Sequence, residues 1–209
     1  NKLKILKCTG NRKIRNVNHM VETLKELSCG SFYSDCGICQ AGISKLNKLR
    51  ILNCNGNTKI NDVNHMADTL EELYCNNESD IDQRGISELK KLRILDCRDN
   101  QKIANVNHMA KTLKILYCSH ADNIDQNGIS KLKKLKNLYC AYCSKINNVN
   151  HLADTLEILN CSSSGIDQNG MSELSKLKIL KCRASSINNV NHLANTLEKL
   201  DCTLSRSEE

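Results

Sequence analysis

Thiols and imidazoles are the groups of this chain best suited to chemistry, with 13 cysteines and six histidines among 209 residues. Cys29, Cys36 and Cys39 crowd the segment CGSFYSDCGIC, which closes on a CxxC pair. Such a pair supplies half of a tetrahedral zinc site or a redox dithiol. Structural zinc needs four ligands, however, and no second CxxC or neighbouring HxxxH completes the set. A redox dithiol draws its low pKa from a strand-to-helix setting, which a loop insertion does not provide. We therefore read Cys36 and Cys39 as loop thiols open to solvent, with an intermolecular metal site or a reversible disulfide as the alternatives.

The other cysteines explain themselves by position. Cys8, Cys29, Cys54, Cys75, Cys97, Cys118, Cys140, Cys161, Cys182 and Cys202 recur every 20 to 25 residues, each closing a hexamer such as LKILKC or LEILNC. Periodicity of that length marks a solenoid, whose units bury their apolar sides only by stacking on one another. Within a strand, side chains alternate, so Leu52 and Cys54 point inward while Ile51 and Asn53 point outward. A free cysteine behaves as a small hydrophobe and suits a tight stacked interior.

Two unit types alternate. Odd units carry VNHM or VNHL at Val17, Val63, Val106, Val149 and Val190, and even units carry IDQxGIS or IDQNGMS at Ile81, Ile124 and Ile166. Aligning them sets Asn18, Asn64, Asn107, Asn150 and Asn191 in register with Ser44, Ser87, Ser130 and Ser172. Both residue types favour helix N-caps, which predicts a helical turn after each. The same alignment sets His19, His65, His108, His151 and His192 opposite Lys45, Glu88, Lys131 and Glu173, surface-type residues. With one histidine in every second unit, successive rings stand ~10 Å apart, too far to share a metal. No metal and no cofactor is expected.

The frame of LRILNCNGNTKI, Leu49 to Ile60, recurs ten times and resembles the leucine-rich-repeat family in its cysteine-containing, short intracellular form. The resemblance implies an α/β solenoid: an arc with about ten short parallel strands on the concave side and turns or short helical segments on the convex side. It makes residues 1–209 one domain of about ten units. It also gives Asn11, Asn57, Asn100, Cys143 and Ser185 the task of bonding the turning backbone after each strand. Even units depart from this with Phe32, Glu78, Ala121 and Ser164.

Composition excludes several functions. No phosphate loop, dinucleotide fingerprint or serine–histidine–acid cluster rises above the repeat, so no enzyme is expected. No stretch approaches the ~20 apolar residues of a membrane span. Five tyrosines and one phenylalanine are too few for an extended nucleic-acid stacking platform. Unpaired buried thiols fit a reducing compartment, cytoplasm or nucleus. Richness in asparagine, lysine and isoleucine is the composition an AT-rich genome gives.

Function is expected on the outward strand positions. Ile51, Ile94, Ile115 and Ile158 make an apolar track, with Tyr74, Asp96, Tyr117 and Tyr139 beside it and Tyr142 just beyond. Tyrosine adds large contact area at modest entropic cost, and an aliphatic track is costly unless covered. A protein partner on the concave face is the reading this supports. The rival is a polyanion held by the basic border Lys4, Lys25, Arg50, Arg93, Lys114, Lys136 and Lys178, encouraged by a net charge of +7. Glu71, Glu157 and Glu198 interrupt that border, which disfavours nucleic acid. The first and last units lack polar caps, which predicts a chain cut from a longer array, with end-to-end self-association or flanking sequence covering the stacking faces.

Overall fold

A computed structural model describes residues 2–31 and 36–203 of the chain. They fall into two compact units, Asn1–Ile103 and Ala104–Glu209. In the first, strands β1 (Ile5–Lys7), β2 (Glu26–Ser28), β3 (Ile51–Asn53), β4 (Glu72–Tyr74) and β5 (Ile94–Asp96) pair in parallel and in chain order. In the second, β6 (Ile115–Tyr117), β7 (Asn137–Tyr139), β8 (Ile158–Asn160), β9 (Ile179–Lys181) and β10 (Lys199–Asp201) do the same. Their middle leucines share one register, Leu27 against Leu52 against Leu73 in the first unit and Leu138 against Leu159 against Leu180 in the second. These are the parallel strands of a leucine-rich-repeat solenoid, as the repeat predicted.

Three residues are few for a strand, and the cysteine that follows prolongs the ladder. Cys54 N–H donates to the Tyr74 carbonyl at 2.9 Å and Cys140 N–H to the Asn160 carbonyl at 2.9 Å. The side chains of Leu52, Cys54, Leu73, Cys75, Leu138 and Cys140 are wholly buried. Burying one leucine contributes roughly 1.5–3 kcal/mol, and here each does so only through the neighbouring repeats.

After each cysteine the chain turns, and the turn residues act as the resemblance implied. Asn57, wholly buried, donates through Nδ2 to the carbonyls of Cys29 (3.0 Å) and Ile38 (3.2 Å), while its Oδ1 accepts from Lys59 N–H at 2.9 Å. Asn100 repeats this with Cys75, Ile81 and Lys102. Cys143 Sγ instead meets the Cys118 carbonyl at 3.0 Å, and Ser185 Oγ the Cys182 carbonyl at 2.7 Å. Of the even units, Ser164 Oγ donates to Cys161 O at 2.8 Å, Ala121 is buried and Glu78 exposed. Phe32 lies outside the described residues.

The side opposite the strands corrects the capping expectation. Odd units make single 3-10 turns that begin at the asparagine itself, as in Asn64–Met66 and Asn150–Leu152. Even units make short helices, α1 (Gln40–Ile43) and α2 (Gln126–Ile129), or 3-10 turns at Arg84–Ile86 and Asn169–Met171. The serines follow these elements: Ser44 and Ser130 stand at their C-terminal ends. Caps on the even units come from aspartate, with Asp82, Asp125 and Asp167 each accepting from the glycine N–H three residues on at 2.8 Å. The asparagines bridge repeats instead. Asn64 Nδ2 donates to Arg84 O at 2.7 Å and its Oδ1 accepts from Glu88 N–H at 2.9 Å. Asn150 does the same with Asn169 and Glu173. A solenoid puts the next repeat's backbone within reach, and two inter-repeat bonds displace one local cap.

The glycine of the even motif is where backbones touch. A Cβ on Gly85 would lie 1.9 Å from Asn61 O, and one on Gly170 2.0 Å from Asn147 O. The same glycines accept from the odd-unit valines, Val63 N–H to Gly85 O at 2.9 Å and Val149 N–H to Gly170 O at 2.7 Å.

Candidate partner-binding face

Strand geometry presents the first and third residue of every strand to the side away from the core. In the first unit, Ile51 and Ile94 flank Glu72 and are half-buried. Tyr74, in the next row, donates its hydroxyl to Glu72 Oε2 at 2.8 Å. Asp96 is drawn inward: only 3% exposed, it accepts from Asn76 Nδ2 at 2.9 Å and from Arg98 Nε and Nη2 at 2.9 and 2.7 Å. The first unit thus places Ile51, Ile94 and Tyr74 on one surface and ties its polar groups into internal bonds.

In the second unit Ile115 and Ile158 flank Asn137, all half-buried. Tyr117 and Tyr139, directly paired, stack with ring centroids 4.4 Å apart and planes 14° from parallel. Tyr142 is 53% exposed and stacks on His120, centroids 4.3 Å apart and planes 15° from parallel. Sequence reading placed Tyr142 near this face and missed His120. The signal was there: the residue two positions beyond the strand cysteine is Gly10, Gly56, Asn77, Asp99, His120, Tyr142, Ser163 and Ala184, all at positive φ. Glycine, asparagine and aspartate tolerate that backbone, whereas a tyrosine at φ 63° is uncommon.

In each unit one carboxylate pairs with two cations of the basic border. Glu71 takes Arg50 at 2.6 Å and Arg93 at 3.9 Å. Glu157 takes Lys136 at 2.7 Å and Lys178 at 2.9 Å. Hydrogen bonds from Lys136 and then Lys178, with their charges, hold the Glu157 carboxyl down to about 2. The acidic interruptions thus bind the cations on either side of them.

Within each unit the strand thiols are buried, Cys202 excepted. Burial pushes Cys29, Cys75 and Cys140 well up, and Cys54 and Cys161 up to about 12. Such thiols are neutral and unreactive at neutral pH. The insertion differs from expectation. Ile38 does take a core place, at 1% exposure, but it carries Cys36 inside with it, at 3%. Gly37 N–H donates to Asn11 O at 3.0 Å and Lys59 Nζ to Cys36 O at 2.8 Å, which fold the segment against its neighbours. Cys39 stands half-exposed where Asp125 caps α2, with no capping bond from its side chain. Among the described residues no group of three histidine, cysteine or acidic side chains could hold a metal. Of the repeated histidines, His19, His108 and His192 are exposed, while His65 and His151 donate through Nε2 to Ile43 O (3.0 Å) and Ile129 O (3.2 Å). Burial lowers the pKa of His151.

No family model matches this sequence, and no curated protein does. Among solved structures, the functional domain of InlJ from Listeria monocytogenes, described as including a cysteine ladder, is similar with a TM-score of 0.65 and 25% identity. The match covers 96% of this chain and 44% of that one, so the chain spans less than half of its length. An octameric complex of latrophilin 3, Unc5D and the leucine-rich-repeat part of FLRT2 contains a chain similar with a TM-score of 0.52 and 17% identity, over 88% of this chain and 62% of that one.

Proposed function

We propose, from the premise that this chain is a leucine-rich-repeat solenoid, that it is a non-enzymatic protein-recognition module using the outward face of its strands. The observation that carries this reading is the surface of half-buried isoleucines and tyrosines, Ile51, Ile94 and Tyr74 in one unit and Ile115, Ile158, Tyr117 and Tyr139 in the other. Each lies over a sheet whose far side is already dry, so only an external surface can cover it. The solenoid of FLRT2 stands in a multi-protein complex, an analogy of fold. A polyanion is the weaker candidate, because Glu71 and Glu157 already occupy the flanking cations. A neutral thiol column suits a reducing compartment, which we assign as cytoplasmic or nuclear.

Photo-crosslinking amino acids at positions 94 and 158, against controls at the exposed far-side residues Glu88 and Lys131, test the proposal in extracts of the source cell. A protein adduct from 94 or 158 and none from 88 or 131 is expected. Adducts from the far side alone, or retention on random duplex DNA at about 0.15 M salt, would overturn it.

A further inference from the structure

Positive charge is spread unevenly along this array. Residues 1–25, the first repeat, hold seven of the chain's 30 cations and one of its 23 acids, whereas residues 26–103 of the same unit hold ten cations and twelve acids. The one acid, Glu22, is already paired with Lys48. Lys4, Lys7, Lys13 and Arg15 are exposed, and none of them has an ion-pair partner among the described residues. The fold does not ask for these cations. Where the first repeat has Lys7, the third and fifth have Asn53 and Asp96, and where it has Arg15 they have Asn61 and Ala104. Lys59 and Lys102 do share the place of Lys13, but Lys59 Nζ donates to Cys36 O at 2.8 Å and Lys102 pairs with Asp80. The backbone under the unpaired cations is held. Asn11 Oδ1 accepts from Lys13 N–H at 2.9 Å, Asn11 O accepts from Gly37 N–H at 3.0 Å, and Arg15 O lies 2.1 Å from where a Cβ on Gly42 would stand.

Resting on the reading of a protein partner above, we infer that the first repeat is a second docking surface, which takes a short acidic segment of that partner. Opposite charge selects the carboxylates. Lys4 and Lys7 stand three residues apart on one strand, about 10 Å, which is within about one Debye length at 0.1 M salt, so the cations of the repeat act together on an approaching anion. The extent of the patch selects a short ligand. A duplex or an anionic bilayer spreads negative charge over more than one repeat and would meet the acids of residues 26–103 as well. Nor does the first repeat hold a tyrosine, phenylalanine or tryptophan on which a base could stack. An acidic segment can end where the patch ends. Its contribution is to speed and orient encounter, while the strand face supplies the apolar contact.

A fluorescein-labelled decaglutamate peptide, followed by anisotropy on the whole chain at about 0.1 M salt, tests this. The triple change Lys4→Glu, Lys7→Glu and Lys13→Glu should weaken binding about tenfold or more. Lys131→Glu, Lys133→Glu and Lys134→Glu together make the same change in net charge at exposed lysines of the second unit, and should weaken it less than about threefold. Glutamine at positions 4, 7 and 13 should give a smaller loss in the same order, and it replaces the reversal if that variant does not fold. Equal losses in the two sets, or no binding by the parent protein, would overturn the inference. Random duplex DNA or phosphatidylserine vesicles held through the same lysines more tightly than the peptide would overturn it too. The strand face answers separately. Adducts from positions 94 and 158 in a protein that ignores decaglutamate would sink the acidic segment alone, and the absence of those adducts would sink the strand-face reading.

Discussion

The two units share one backbone and differ in what they put on it. In the first, the polar groups of the strand face are bonded internally: Tyr74 to Glu72, and Asp96 to Asn76 and Arg98. Its turns are sewn by buried asparagines, Asn57 and Asn100. In the second, turns rest on the lighter contacts of Cys143 and Ser185, and the face carries two aromatic pairs. A polar surface already bonded to itself has little to offer a partner, whereas stacked rings add apolar contact area. On the function proposed above, the second unit is the stronger candidate for the recognition surface.

Four measurements break or sharpen that contrast. The largest effect should be common to both units, because both hold the thiol ladder. Thiols whose folded pKa is raised release protons later than in the unfolded chain, so their stabilising effect is complete below about 8.5 and is lost as pH climbs toward about 12. Circular dichroism under reducing conditions should show cooperative unfolding in that window. If one unit kept its strands at pH 12, the ladder would not be uniform.

Next in size is the turn residue. Asn100→Ala orphans two buried carbonyls and one amide and should cost about 2–4 kcal/mol in chemical denaturation. Cys143→Ala should cost only about 1 kcal/mol. Equal losses would erase the difference between the sewn and the lightly held turns.

Smaller still are the face residues. Tyr74→Phe removes one half-buried hydrogen bond and should cost ~0.5–1 kcal/mol of stability. Tyr117→Phe keeps its stack but gives up the hydroxyl's hydrogen bond with Tyr139 and should cost a similar ~0.5–1 kcal/mol while relieving part of the upward shift of the Tyr139 pKa. Smallest are the bridging carboxylates: Glu71→Gln and Glu157→Gln should change stability by less than ~1 kcal/mol while raising affinity for heparin at low salt. The Glu157 contribution is fully present above the ordinary carboxylate range near 4.3 and fades as pH falls toward about 2. An unchanged heparin affinity would mean that these carboxylates do not mask the border.

The strand register was legible because period-2 alternation and a 20-to-25-residue recurrence fix it without any tertiary knowledge: Leu52, Cys54 and Ile60 could only face the core. The turn asparagines were legible through the family resemblance. The far side was not. Capping rules treat a helix as isolated, and Asn64 finds better partners in a repeat twenty residues away. Cys36 was misplaced for a related reason. A CxxC in an insertion looks exposed until Ile38 is seen to anchor the segment. His120 was missed although it shares the repeat position of Tyr142, because its partner is 22 residues distant and only the stacking of repeats brings the rings together.

The glycine contacts have a consequence for how such an array can lengthen. An odd unit joins the following even unit through a valine N–H onto the carbonyl of a glycine that tolerates no Cβ and through an asparagine side chain onto the carbonyl of the residue before it. The even unit joins the next odd unit differently, through Gln40 or Gln126, whose side chain holds the amides at Asn61 and Asp62 or Asn147 and Asn148. The two joints are not interchangeable. Duplicating a single unit would set valine against a neighbour with no glycine, or glutamine against a chain with no matching bend. The smallest heritable increment is therefore the pair, and a gene extended by one odd–even pair should yield a folded protein where one extended by half a pair does not.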